Sequence, residues 1–79
     1  MPRSPRSLEI RAEMVGNVMS VQVAPGEVVQ AGDTVVLLES MKMEIPVLSE
    51  HAGAVTSVHV EAGDVVQEGD LLVRLEPSD

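Results

Sequence analysis

The sequence predicts an all-β domain made of two interlocking halves related by a pseudo-twofold axis. Three observations lead there. Residues 16–39 (GNVMSVQVAPGEVVQAGDTVVLLE) align without a gap on residues 53–76 (GAVTSVHVEAGDVVQEGDLLVRLE), 37 positions later, with 14 of 24 positions identical. Short valine-rich runs alternate with polar residues at the period of a strand, and turn signals recur between them. No stretch shows a helical period. Two copies are too few for a solenoid, which needs at least three repeats, so the copies must share one core as a barrel or sandwich.

Each half follows the same local logic. Val21 and Val23 alternate with Ser20, Gln22 and Ala24, and Val58 and Val60 repeat the pattern. Turns follow at Pro25-Gly26-Glu27 and at Ala62-Gly63-Asp64. A short Val-Val-Gln comes next in each half, then a Gly-Asp turn (Gly32-Asp33, Gly69-Asp70), then a closing strand. Glycine at these turns supplies positive φ or close approach. The strands are expected near Leu8–Met14, Val18–Ala24, Val28–Val29, Thr34–Ser40, Met43–Leu48, Val55–Glu61, Val65–Val66 and Leu71–Leu75. Residues 1–7 (MPRSPRS), with two prolines and two arginines, read as a disordered start. Residues 8–76 form the domain, and 77–79 a short tail.

Composition narrows the function. At 79 residues the chain is a single domain with a small core, which leaves little room for an enclosed substrate pocket. The core must be aliphatic, because there is no Phe, Trp or Tyr. That also removes the stacking platforms of single-strand binders. A net charge of −8 repels phosphate backbones and anionic lipid, so neither nucleic acid nor membrane is an expected partner. No apolar run approaches the roughly 20 residues that span a bilayer, and the first seven residues have no apolar segment of a secretory signal. The absence of cysteine excludes disulfides and thiolate metal sites, and fits a reducing, cytoplasmic setting.

The link between the halves carries the candidate chemistry. Thr34–Ser40 must reverse into Met43–Leu48 through a two-residue loop, Met41-Lys42. Such loops favour Gly, Asn or Asp because φ is positive there. Met-Lys breaks that rule in a chain whose other turns obey it, which marks a functional position. Lys42 is the sole lysine. The apolar, adaptable methionines on both sides suit a surface recognised by a partner. Glu39 and Glu44 flank the hairpin and are candidates for docking.

Glu39-Ser40-Met41-Lys42-Met43-Glu44 resembles the Met-Lys-Met signature of biotinyl domains, the carrier modules of biotin-dependent carboxylases. The repeat turns and His51-Ala52-Gly53-Ala54-Val55 are also similar to that family, and the resemblance spans roughly Leu8 to Glu76. It implies a flattened β-barrel (a barrel-sandwich hybrid) of two four-stranded antiparallel sheets. It implies Lys42 as the covalent biotin attachment site, with Met41 and Met43 as recognition flanks. A biotin protein ligase would be one partner, and biotin carboxylase and carboxyltransferase components the others, with the domain itself non-catalytic. Ser40 stands where family members often have Ala. Only Pro25-Gly26-Glu27 fills the place of the thumb that some members carry. A lipoyl carrier shares the fold and a hairpin lysine, but usually shows Asp-Lys-Ala at the tip. An unmodified hybrid-barrel interaction module would need no lysine there.

The remaining polar residues point to structure. His51 and His59 have no partner at metal-ligand spacing, and His59 takes the place of Gln22 in the repeat, on an exposed face. Asp33 and Asp70 are matched turn residues. Ser40 has no adjacent base in a known motif. Pro46, within an expected strand, points to an edge or a bulge.

Overall fold

The structure, a computed structural model, describes residues 7–77. Residues 1–6 of the expected disordered start (1–7) lie outside them, as do Ser78 and Asp79 of the expected tail (77–79), whereas Ser7 and Pro77 are described. The described chain is eight strands: β1 Leu8–Arg11, β2 Gly16–Val21, β3 Val28–Val29, β4 Thr34–Ser40, β5 Met43–Leu48, β6 Gly53–Val58, β7 Val65–Val66 and β8 Leu71–Pro77. They form two four-stranded antiparallel sheets, ordered β1-β8-β6-β3 and β5-β4-β2-β7. Adding 37 to a residue number exchanges the sheets strand for strand: β1 with β5, β2 with β6, β3 with β7, β4 with β8. The predicted pseudo-twofold symmetry is therefore the organising principle of the fold.

The halves hold each other. Gly26 N donates to Val55 O (2.8 Å) and Val55 N to Glu27 O (2.7 Å). The mirror pair runs from Gly63 N to Val18 O (2.9 Å) and from Val18 N to Asp64 O (2.8 Å). The second turn of each half does the same, with Gly32 and Asp33 bonding Ser49 and with Gly69 and Asp70 bonding Ala12. Each turn thus bonds a segment far from it in sequence. Gly26 and Gly63, at φ 94° and 98°, occupy the left-handed region where other residues are strained. Carboxylates finish the turns. Glu27 accepts from Ala24 N (2.8 Å), Asp33 from Gln30 N (2.9 Å), Asp64 from Glu61 N (2.9 Å) and Asp70 from Gln67 N (2.8 Å). Side-chain capping of this kind is why Asp and Glu recur at these points.

The core repeats the symmetry. Val18, Val29, Val35, Val36 and Leu38 are buried, as are their mates Val55, Val66, Leu72, Val73 and Leu75. The axis also relates buried Ala12 to Ser49, whose hydroxyl donates to His51 O at 2.6 Å. Burying a hydroxyl without such a partner is costly.

Several strand limits differ from those expected. β2 and β6 begin at Gly16 and Gly53 rather than Val18 and Val55, because the two-residue strands β7 and β3 pair with those glycines and their neighbours. They end at Val21 and Val58, before the alternation does. Single backbone bonds from Gln22 N to Val35 O and from His59 N to Leu72 O then lead into the turns. β1 stops at Arg11, where its register shifts and Ala12 is drawn onto the Gly69-Asp70 turn. β8 runs on to Pro77, opposite Gly53. Pro46 lies on β5, an edge strand, where a missing N–H donor is tolerated. Among the described residues, no helix is long and apolar enough to cross a membrane, and no group of His, Cys, Asp and Glu is placed to hold a metal ion.

Candidate functional site

The candidate site is the β4–β5 hairpin. Ser40 pairs with Met43 and closes a two-residue loop of Met41 and Lys42. Their φ values are 54° and 66°. Positive φ at both central residues is the type I′ geometry, whose twist matches that of the strands it joins. The loop therefore has the backbone that Asn-Gly would choose, built from two residues with side chains that oppose it. Met41 is 90% exposed and Met43 63% exposed, so neither is spent on the core. Lys42 is exposed too. Ion pairs between described residues are confined to Glu9 with Arg11 and with Arg74, which leaves the Lys42 ammonium on a rigid tip with no acidic partner among them.

The base of the hairpin is stiff for a reason seen in β2. A Cβ on Gly16 would lie 2.9 Å from Glu39 O, so β2 backs onto β4 at closer range than a side chain permits. Beside the lysine is a shallow hollow of about 330 Å³, lined by Val15, Gly16, Asn17, Glu39, Ser40, Met41 and Lys42. Sequence reasoning did not bring Val15 and Asn17 to the site. The signal that could have found Val15 is its place in the repeat: Ala52 is its mate, whereas Val15 is a larger apolar side chain left 53% exposed.

Glu39 and Glu44 are directly opposed across the hairpin, both exposed. The twofold mate of the loop is the gap between the end of β8 and the start of β1. The tip bearing Lys42 therefore lies at the opposite side of the barrel from β8's end and β1's start. A larger concavity, about 630 Å³, lies along the edge strands β1 and β5, and no residue from Ser40 to Glu44 lines it. His59 Nε2 lies 2.8 Å from Ser57 Oγ, and Gln22 Nε2 donates to Ser20 Oγ at 2.6 Å. These are equivalent local bonds just past equivalent strands. His51, also exposed, follows the buried Ser49. Neither histidine approaches the hairpin by pairing or hydrogen bond.

Comparison with known proteins agrees with this geometry. A family profile for biotin and lipoyl attachment, described as "Biotin-requiring enzyme", matches residues 8–75. "Biotinylated protein TB7.3" of Mycobacterium tuberculosis is 58% identical over 41 residues, which are 52% of this chain and 58% of that protein. The matched segment thus spans less than two thirds of the relative. A single-chain, multi-domain long-chain acyl-CoA carboxylase superimposes with TM-score 0.89 at 32% identity, over 100% of this chain and 8% of that one. The lipoyl domain of the 2-oxoglutarate dehydrogenase complex from Azotobacter vinelandii gives TM-score 0.72 at 30% identity, over 85% of this chain and 92% of that domain. The profile covers nearly every described residue, and the chain belongs to the biotin/lipoyl attachment family.

Proposed function

We propose that this domain is a biotin carboxyl carrier, with biotin held in amide linkage on Nζ of Lys42. The observation that carries this reading is the exposed lysine, alone at the tip of a strained two-residue turn between two exposed methionines. A folded tip that spends two left-handed residues to present one amine suits acylation by a ligase. For that step the ammonium gives up a proton, neutral Nζ attacks the acyl carbon of biotin activated as its adenylate, and the amide forms as the acyl–phosphate bond breaks and AMP leaves. Arginine could not replace it, because guanidinium stays protonated. Biotin, once attached, supplies the nitrogen that accepts and releases a carboxyl group, so the domain itself contributes no catalytic side chain.

What the chain's own residues do is attachment and placement. Met41 and Met43 offer adaptable apolar contact to the ligase and later to the carboxylase sites. The close backing of β2 on β4 fixes where the arm begins, and tethering raises the effective concentration of the carried group at both sites. The partners are a biotin protein ligase, a biotin carboxylase and a carboxyltransferase, working in the cytoplasm where ATP is available. The relative named as biotinylated and the superimposed acyl-CoA carboxylase support this reading. The lipoyl domain shares the fold, but this tip reads Met41-Lys42-Met43 instead of the Asp-Lys-Ala usual in lipoyl carriers. Co-expression with a biotin protein ligase should add one biotinyl mass to the parent and none to Lys42→Arg. Lipoate in its place, or no adduct with ample biotin, would overturn the assignment.

A further inference from the structure

The two sheets share a backbone plan, but their outer faces differ systematically. On the first sheet Glu9 accepts hydrogen bonds from Arg11 Nε (3.1 Å) and Arg74 Nη2 (2.8 Å), and Thr56 Oγ1 donates to Arg74 O (3.0 Å). The mates of Glu9, Arg11, Thr56 and Arg74 on the second sheet are Pro46, Leu48, Met19 and Leu37. Four polar or charged positions have become four apolar ones. Register places Leu37 between Pro46 and Ser20 in one cross-strand row. Leu48 follows two residues on, and Met19 sits in the adjoining bulge of β2. Leu48 and Met19 are 46% and 39% exposed, and Pro46 is also exposed. The first sheet demonstrates that this fold accepts a solvated ion network at these positions, so folding does not require the apolar set.

The next row toward Lys42 holds Glu39 opposite Glu44. Like charges directly opposed across strands are destabilising, and no ion pair among the described residues relieves them. An apolar row bordered by an unrelieved acidic pair has the anatomy of half an interface, an apolar centre with a charged rim. It awaits a surface with apolar side chains and flanking cations. A second copy of this chain does not fit, because it would bring −8 against −8 and glutamates against glutamates.

We infer that the outer face of β5-β4-β2, centred on Met19, Leu37, Pro46 and Leu48 with Glu39 and Glu44 at its rim, docks the carrier onto biotin carboxylase. The inference rests on the carrier reading above. That enzyme's substrates, ATP and bicarbonate, are anions, and arginine and lysine are the residues that bind such groups. Cations at the mouth of its site would complement the glutamate pair, which has no ion-pair partner among the described residues. The acidic row adjoins the hairpin, so docking on this face sets Lys42 at the mouth.

The test is an NMR titration of the 79-residue protein with the biotin carboxylase that turns over its biotinylated form. Amide shifts should concentrate at Met19, Leu37, Glu39, Glu44 and Leu48, and spare Glu9, Arg11, Thr56 and Arg74. Shifts on the first sheet, or confined to residues 41–43, overturn the proposal. In parallel, the triple variant Leu37→Arg, Pro46→Glu, Leu48→Arg copies the first sheet's network onto the second. It should raise KM for the biotinylated carrier more than about tenfold, as loss of interface anchors does, with the extent of ligase biotinylation unchanged. A parent-like KM overturns the proposal. If the triple variant melts, Leu48→Arg alone takes its place. If Lys42 proves not to be biotinylated, the carrier reading fails and the proposal falls with it; if Lys42 is biotinylated and the shifts lie elsewhere, the proposal alone fails.

Discussion

Replacing Met41 by asparagine should stabilise the protein while impairing its modification. Met41 sits at φ 54°, in the left-handed region that costs an ordinary L-residue about 1–2 kcal/mol. Asparagine is enriched several-fold in that region, and an enrichment of about three- to fivefold corresponds to about 0.6–1 kcal/mol at RT ≈ 0.59 kcal/mol. The methionine is 90% exposed, so its removal uncovers almost no core and nothing offsets the gain. For a domain of this size, 1 kcal/mol moves the melting temperature by about 4–8 °C, so Met41→Asn should melt about 2–8 °C above the parent. Met41→Ala is the control. It removes the same side chain but keeps the backbone strain, so its melting point should stay near the parent's. Calorimetry reads the stability, and the rate of biotin transfer by a ligase reads the function, which should fall for both variants. If Met41→Asn melts at or below the parent, the turn is not strained in the way its φ values imply. Recognition by a partner would then no longer be needed to explain Met-Lys at this turn.

The other expectations are briefer. Met43→Ala should shift stability by less than about 0.5 kcal/mol, as surface changes do, and slow biotinylation; a large drop in melting temperature would make Met43 a core residue despite its exposure. Gly53→Ala would drive a Cβ into the Glu76 carbonyl, with Pro77 Cα at 3.1 Å. Backbone crowding of that kind costs about 1–3 kcal/mol or more, and a fall of at least about 4 °C by calorimetry is expected. Gly16→Ala meets Glu39 O at 2.9 Å; it should destabilise less but also slow the ligase, because β4 moves at the base of the hairpin. Hydrogen bonds from Arg11 and then Arg74 hold the Glu9 carboxyl below its ordinary value of 4.5. A depressed folded-state pKa contributes stability above the ordinary value and loses it as pH falls through the lowered one. The melting difference between parent and Glu9→Gln should therefore be full above the ordinary value of 4.5 and close as pH falls through the lowered one. It should also shrink in 1 M salt, as an exposed network requires. A gap that widens on acidification would contradict the assignment.

The sequence by itself determined the architecture and the position of Lys42. The 37-residue offset stated which segments are equivalent. The alternating valines stated which face each strand buries, and the Gly, Asp and Glu positions stated where the chain turns. These signals are local, written in φ preference and side-chain period, and they survive without knowledge of what packs against what. The Met41-Lys42 loop was legible for the same reason, as the one turn whose residues oppose their own backbone. Only the tertiary structure decided the rest. β2 and β6 start at Gly16 and Gly53 because β7 and β3 pair with them from elsewhere in the chain, and no local period encodes that pairing. Val15 and Asn17 reach the lysine only because β2 lies against β4. The contrast between Leu37, Pro46 and Leu48 on one sheet and Arg74, Glu9 and Arg11 on the other was present in the letters. It became a face only when cross-strand register set those residues side by side, because a strand's outer surface is assembled from neighbours that the sequence keeps apart.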